Sequence, residues 1–282
     1  MKTRVILMIT ALAVLTFFSC TKLKSLLDST STNLADDDAV TTVALNDVDL
    51  TVDNAIGILE NSGQLKDELV LADSCPAITV ANPLVGTYPK TVTINYGTGC
   101  SGYYGSTRSG KIIIVVTNKR SVVGATRTVT FDNYYFNGIK MEGTKVVTTM
   151  DPHGLNPVYS VALTGGKLTL PSGKTIEHAF VRQREWIAGW NTPKNIWDDE
   201  YLITGTATGK GVNGNSYTNT ILTALHWTRA CEFIVSGSIQ FARTGVEPIV
   251  LDYGTGTCDA VATLTRGDQT KQITLKHKYN GM

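Results

Sequence analysis

The chain has 282 residues, 17% charged and 42% hydrophobic, with 25 basic against 24 acidic residues and a formal net charge of +1. That length supplies ample core for one large β domain or two small ones. Balanced charge removes the electrostatic case for a nucleic-acid partner, and the apolar fraction argues against intrinsic disorder. Abundant threonine and 26 glycines favour strands and turns over helices.

Lys2 and Arg4 make a short positive start, and Val5 to Phe18 is a run of 14 residues, apolar apart from two threonines. Crossing a bilayer takes about 20 apolar residues, so residues 1–19 read as a signal peptide. The small residue and cysteine that follow, Ser19-Cys20, resemble the lipobox of bacterial lipoproteins, with Phe17 where leucine is usual and Phe18 where a small residue is. That resemblance implies lipidation of Cys20 and a membrane partner reached through the lipid. The competing reading is a soluble secreted protein cleaved near Ser19. Removing residues 1–19 takes away Lys2 and Arg4 and changes the formal charge to −1, so anionic headgroups would attract the mature chain little. Residues 20–38, closing on Asp36-Asp37-Asp38, read as a lipid-anchored tether whose acidic triplet is solvated.

Residues 39–282 read as a single β-rich domain that starts with a helix. Val40, Val43, Ala44, Val48, Val52, Ala55, Ile56 and Leu59 recur in steps of three and four and predict a helix over roughly 38–60. Its expected role is to cover one face or end of a sheet. From about residue 76 the pattern turns to strands: 91–96, 111–116 and 127–136, then 201–209, 217–225, 232–243, 248–253, 260–265 and 271–278. Asn137-Gly138 and Asn213-Gly214 signal hairpins, because both central residues of a type I′ turn need positive φ. No helix-length segment separates the strands. The fold class is therefore all-β, a large and mostly antiparallel sheet or sandwich with one N-terminal helix.

A partial internal repeat runs through the β region. Pro89-Lys-Thr-Val-Thr-Ile-Asn-Tyr-Gly-Thr-Gly-Cys100 matches Pro248-Ile-Val-Leu-Asp-Tyr-Gly-Thr-Gly-Thr-Cys258. Thr107-Arg108 and Thr265-Arg266 follow the two cysteines at equal spacing, and Cys75 and Cys231 precede them at nearly equal spacing. The repeat favours disulfides Cys75–Cys100 and Cys231–Cys258; the crossed pairing Cys75–Cys231 with Cys100–Cys258 is the alternative. No two cysteines have the short spacing of a zinc site. The repeated Tyr-Gly-Thr-Gly reads either as a tight strand exit beside a disulfide or as a ligand-contacting turn.

Catalytic motifs do not fit. Gly97-Thr-Gly-Cys-Ser-Gly102 matches a dinucleotide string, but no helix follows to receive a pyrophosphate. Gly173-Lys174-Thr175 lacks the first glycine of a P-loop, and Asp47, Asp49 and Asp53 lack the spacing of a calcium loop. His153, His178, His226 and His277 are far apart in sequence. No cofactor, metal site or catalytic residue is expected. The stretch that points to chemistry is 186–198, where Trp186, Trp190 and Trp197 accompany Asn191, Asn195 and Asp198. Aromatic faces beside amides and a carboxylate suit glycan recognition; core packing or loop anchoring is the favoured reading of the same residues.

The segments 91–100, 108–112, 137–143 and 252–259 together resemble uncharacterised envelope lipoproteins of Bacteroidota-type bacteria, over most of the chain after the tether. The resemblance implies lipid anchoring in the outer membrane and carries no catalytic residue across. That group often has an acidic export tag after the lipidated cysteine. Here Thr21-Lys22-Leu23-Lys24 is basic, which leaves periplasmic face and cell surface both open. The expected function is a non-enzymatic outer-membrane lipoprotein that binds a ligand, with a glycan or protein partner, or that serves structurally. The alternative is a secreted hydrolase of polysaccharide or peptidoglycan.

Overall fold

The computed structural model describes residues 29–61, 75–81, 86–102, 105–192 and 195–276. The signal peptide, Cys20 and His277 lie outside them. One helix, α1 (Ser29–Asn61), precedes β1 (Ala77–Ala81), β2 (Lys90–Asn95), β3 (Cys100–Ser101), β4 (Thr107–Val116), β5 (Thr126–Phe136), β6 (Ile139–His153) and β7 (Asn156–Thr169). There follow β8 (Thr175–Ala188), β9 (Glu200–Lys210), β10 (Ser216–Thr228), β11 (Ser236–Arg243), β12 (Val246–Thr255), β13 (Val261–Arg266) and β14 (Gln269–Thr274). All fourteen form a single antiparallel sheet in chain order, with short β3 paired off the path on β4. The fold is all-β with one N-terminal helix.

Two findings correct the reading of the N-terminal part. The helix starts at Ser29, not near 38, so the second half of the predicted tether is helix. And α1 does not cover a face of the sheet; it is enclosed by it. Leu34, Ala39, Leu45 and Leu50 are buried along with the predicted stripe of Val40, Val43, Val48, Val52, Ile56 and Leu59. No described side chain from 32 to 60 is exposed. A helix rich in β-branched residues and aspartate has weak intrinsic propensity, so this burial is what holds it. Among the described residues no helix is long and apolar enough to cross a membrane.

Enclosure explains the carboxylates. α1 carries Asp36, Asp37, Asp38, Asp47, Asp49, Asp53 and Glu60 and no basic residue. The triplet expected to be solvated is buried. Lys276 Nζ lies 2.8 Å from Asp36, the Val212 N–H donates to Asp37 at 3.0 Å, and Asn219 and the Tyr253 hydroxyl donate to Asp38 at 3.2 and 3.1 Å. Further along, Arg108 Nε donates to Asp47 at 2.8 Å and Lys145 pairs with Asp49. Asp53 receives Arg127, Arg184 and Arg229, at 2.9, 3.3 and 2.6 Å. These partners come from β4, β5, β6, β8, β10 and beyond, so the sheet wraps the helix.

The outer wall is built differently. One register row runs Thr91, Val115, Thr128, Val146, Ala162, Val181, Thr206, Thr220, Gln240, Val250, Thr265, Thr270, with no charge from β2 to β14. Threonine and β-branched residues fit a pleated half-exposed surface, which is where much of the threonine went.

Both favoured disulfides are present, Cys75–Cys100 and Cys231–Cys258, with Cα separations of 5.8 and 5.7 Å. Each closes a loop of 25 or 27 residues, worth about 3–4 kcal/mol in the chain-entropy model. The repeated Tyr-Gly-Thr-Gly segments are strand exits: the Gly97 and Gly254 N–H groups donate to Asn95 and Asp252 side chains at 2.9 and 2.8 Å. In each copy the tyrosine turns inward to the helix, Tyr96 to Thr51 and Tyr253 to Asp38.

Removing one member of a buried ion cluster strands the others. Asp53→Ala leaves three guanidiniums without their shared carboxylate and should cost about 3–5 kcal/mol of unfolding free energy, read by urea denaturation.

Candidate functional site

The last two turns of α1 meet two loops, the β4–β5 connection and the β8–β9 connection. Arg120, in the first loop, is strapped to the helix: its Nε lies 2.9 Å from Glu60 and its N–H donates to the same carboxylate at 2.7 Å. Its carbonyl also accepts the Thr149 hydroxyl at 3.0 Å, tying the loop to β6. The Arg120 guanidinium stands 5.5 Å over the ring of Trp186, near the end of β8. Trp186 stacks in turn on Tyr201 at 5.6 Å, and Tyr201 on Trp227 at 5.3 Å. The Trp186 indole N–H has no acceptor among the described residues.

The β8–β9 loop leaves the sheet at Gly189, whose φ is +83°; a Cβ there would collide with Asp199. Only glycine meets both demands. Thr192 donates to the Gly189 carbonyl and to Asp198 at 2.9 and 2.8 Å, which fixes the loop. Asp198 is therefore a loop brace.

Between helix and loop lies a cavity of about 400 Å³. Asp53, Asn54, Gly57 and Ile58 line it from α1, with Arg120 from the β4–β5 loop and Trp186 from β8. Thr192, Asn195, Ile196, Trp197 and Asp199 close it from the loop. That volume lies within the range of small-molecule sites. Of the predicted residues, Trp186 is a buried wall and Trp197, 42% exposed, lines the mouth. Trp190, 37% exposed, lines a second cavity on the other side of Trp186. Asp198 lines neither, and its neighbour Asp199 takes the place expected for it. Arg120, Asp53 and Asp199 were not predicted; the readable signal for the last two was an acidic residue near the aromatic cluster or on the helix, with no partner in sight.

The electrostatics divide the two carboxyls. Burial alone would raise Asp53, but the guanidiniums of Arg184, Arg127, Arg229 and Arg120 outweigh it and hold the carboxyl well below the usual range. Asp199 is pushed up to about 6 by burial, against the opposing pull of Arg229. One guanidinium bridges the pair, Arg229 lying 2.6 Å from Asp53 and 3.0 Å from Asp199. Each charged group at the wall has an ion-pair partner: Arg120 meets Glu60, Arg127 and Arg184 meet Asp53, and Arg229 meets both Asp53 and Asp199.

None of the three described histidines lines this cavity. His178 is buried against the Tyr217 hydroxyl at 3.0 Å and held down to about 3 by burial. His153, at the end of β6, and His226, in β10, meet Glu185 and Glu200 at 3.3 and 2.8 Å. Among the described residues no group of three or more His, Cys, Asp or Glu could hold a metal ion.

Comparison with protein families, curated proteins and solved structures returns no match.

The raised Asp199 has a stability consequence with a defined sign. Its folded pKa, about 6, exceeds its ordinary 3.8, so the native state binds the proton more tightly and loses stability as pH rises from about 4 to 6. Asp199→Asn abolishes that dependence. Thermal unfolding should show variant and wild type close together at pH 4, with the variant gaining on the wild type up to pH 7.

Proposed function

We propose that the protein is a non-enzymatic envelope lipoprotein that binds a neutral saccharide in the cavity between α1 and the β8–β9 loop. The observation that carries this reading is the convergence of Trp186 and Trp197 with Thr192, Asn195 and Asp199 around about 400 Å³. An aromatic face stacks on the apolar side of a sugar ring, while amide, hydroxyl and carboxyl groups take its hydroxyls. The saccharide is taken as neutral because each charged wall residue already has an ion-pair partner, and an uncharged ligand leaves Arg120–Glu60 and the Asp53 cluster intact.

The envelope location is supported by the apolar N-terminal run, the Ser19-Cys20 pair and two disulfides, which persist in oxidising compartments. With Cys20 as the lipidated residue, eight residues of sequence lie between the anchor and the start of α1 at Ser29. The helix then spans ~42 Å from Ser29 to Gly57 at the cavity, at 1.5 Å per residue.

A second reading, hydrolysis of a polysaccharide, is favoured by one observation: two carboxyls with pKa values driven apart face the same cavity. Against it, the Asp53 oxygens already accept from three guanidiniums, which leaves a poor base or nucleophile. Turnover of a polysaccharide that falls above pH ~6 and is lost in Asp199→Asn would establish the hydrolase instead.

Binding is tested on a panel of neutral glycans by tryptophan fluorescence and calorimetry. Trp197→Ala and Asn195→Ala should each weaken the bound saccharide about tenfold, the effect of ~1.4 kcal/mol. Cys20→Ser should move the protein from the membrane to the soluble fraction and abolish fatty-acid labelling.

A further inference from the structure

We infer that the ligand is amphipathic, a saccharide head joined to an apolar chain, with the chain held in the second cavity beyond Trp186. This rests on the saccharide reading of the first cavity.

Two cavities share one partition. Arg120 and Trp186, stacked at 5.5 Å, line both the polar cavity of about 400 Å³ and a neighbour of about 280 Å³. The neighbour differs in chemistry. Val123, Met150, Pro152, Leu155, Pro157 and Trp190 supply most of its wall, and no carboxylate lines it. A second sugar would find few acceptors there, whereas methylenes would find a matching surface.

The walls are also exposed without any packing reason. Among the described residues, twelve large apolar side chains are exposed. Five of them, Val122, Val123, Leu155, Trp190 and Trp197, sit on the three connections β4–β5, β6–β7 and β8–β9, and a sixth, Met150, sits near the end of β6. The β4–β5 connection is tied to the end of β6 by the Gly124 N–H donating to the Thr149 carbonyl at 2.8 Å. Clustered apolar exposure of this kind marks a binding surface. Its continuity with a polar cavity through a single guanidinium–indole partition selects one occupant, a molecule polar at one end and aliphatic at the other. The methylenes lie along Met150 and Leu155, and the indole faces of Trp186 and Trp190 flank the junction.

The test uses the full chain carrying Cys20→Ser, so that its own lipid does not interfere. Maltose, maltotetraose and n-alkyl maltosides from hexyl to decyl, kept below micelle formation, are titrated by calorimetry. Affinity should rise with chain length, by up to about fourfold per methylene, the fold-change equal to ~0.8 kcal/mol. Leu155→Asp, at an 80% exposed position that leaves folding intact, should remove that increment. Equal affinity for maltose and every alkyl maltoside overturns the inference and leaves the saccharide reading standing. A gain for maltotetraose instead of the alkyl series overturns it in favour of a longer glycan. Failure of every alkyl maltoside to bind overturns it as well, and the glycan panel then decides the saccharide reading by itself. Sugar-independent binding to phosphatidylcholine vesicles, lost in Leu155→Asp, overturns it in favour of a membrane surface.

Discussion

The structure depends on an acidic helix lying in a cationic sheet interior. Seven carboxylates on α1 face a lumen supplied with Arg108, Arg127, Lys145, Arg184 and Arg229. A buried ion pair gains little net stability over an apolar pair of the same shape, because desolvation cancels much of the attraction. What it does supply is register. An apolar helix of this length could slide or rotate in an apolar tube at modest cost. A helix whose Asp47, Asp49 and Asp53 must each meet a particular cation on β4, β5, β6, β8 or after β10 has one position only.

That register sets the candidate site. Asp53 fixes the depth of the helix end, Glu60 fixes Arg120, and Arg120 fixes the Trp186 face that divides the two cavities. The same ion pairs that hold the fold therefore engage the charged groups of the cavity wall. Charge at the site is structural, and the groups left to meet a ligand are aromatic faces, amides, hydroxyls and the Asp199 carboxyl, pushed up by burial. The disulfides play a parallel part at the two ends of the sheet. Each clamps a strand exit whose tyrosine reaches inward to α1, so both repeat copies also hold the helix.

Much of the β architecture was legible because its signals are local. Period-two alternation in segments such as Thr91 to Tyr96 and the Asn137-Gly138 turn specify strands and hairpins from neighbouring residues alone. The repeat made the disulfide pairing legible too, since two copies of one unit imply two equivalent bridges. The helix was legible only in part. Its valine stripe follows helical spacing, but Asp36-Asp37-Asp38 read as solvent-facing because aspartate is ordinarily exposed. Nothing within 30 residues of that triplet hints at Lys276, Val212, Asn219 or Tyr253.

The candidate site divides the same way. The sequence alone determined that three tryptophans, two asparagines and the acidic pair Asp198-Asp199 lie within fourteen residues, and that the cysteines form two matched couples. Tertiary structure decided which of them face a cavity: Trp186 and Trp197 on one side of the partition, Trp190 on the other, Asp199 inward and Asp198 into the loop. It also decided that α1 is a core element. The reason is the range of the interactions. Alternation, turn chemistry and repeats are short-range properties of a chain, whereas an ion pair such as Arg229–Asp53, 176 residues apart, exists only once the sheet has closed around the helix.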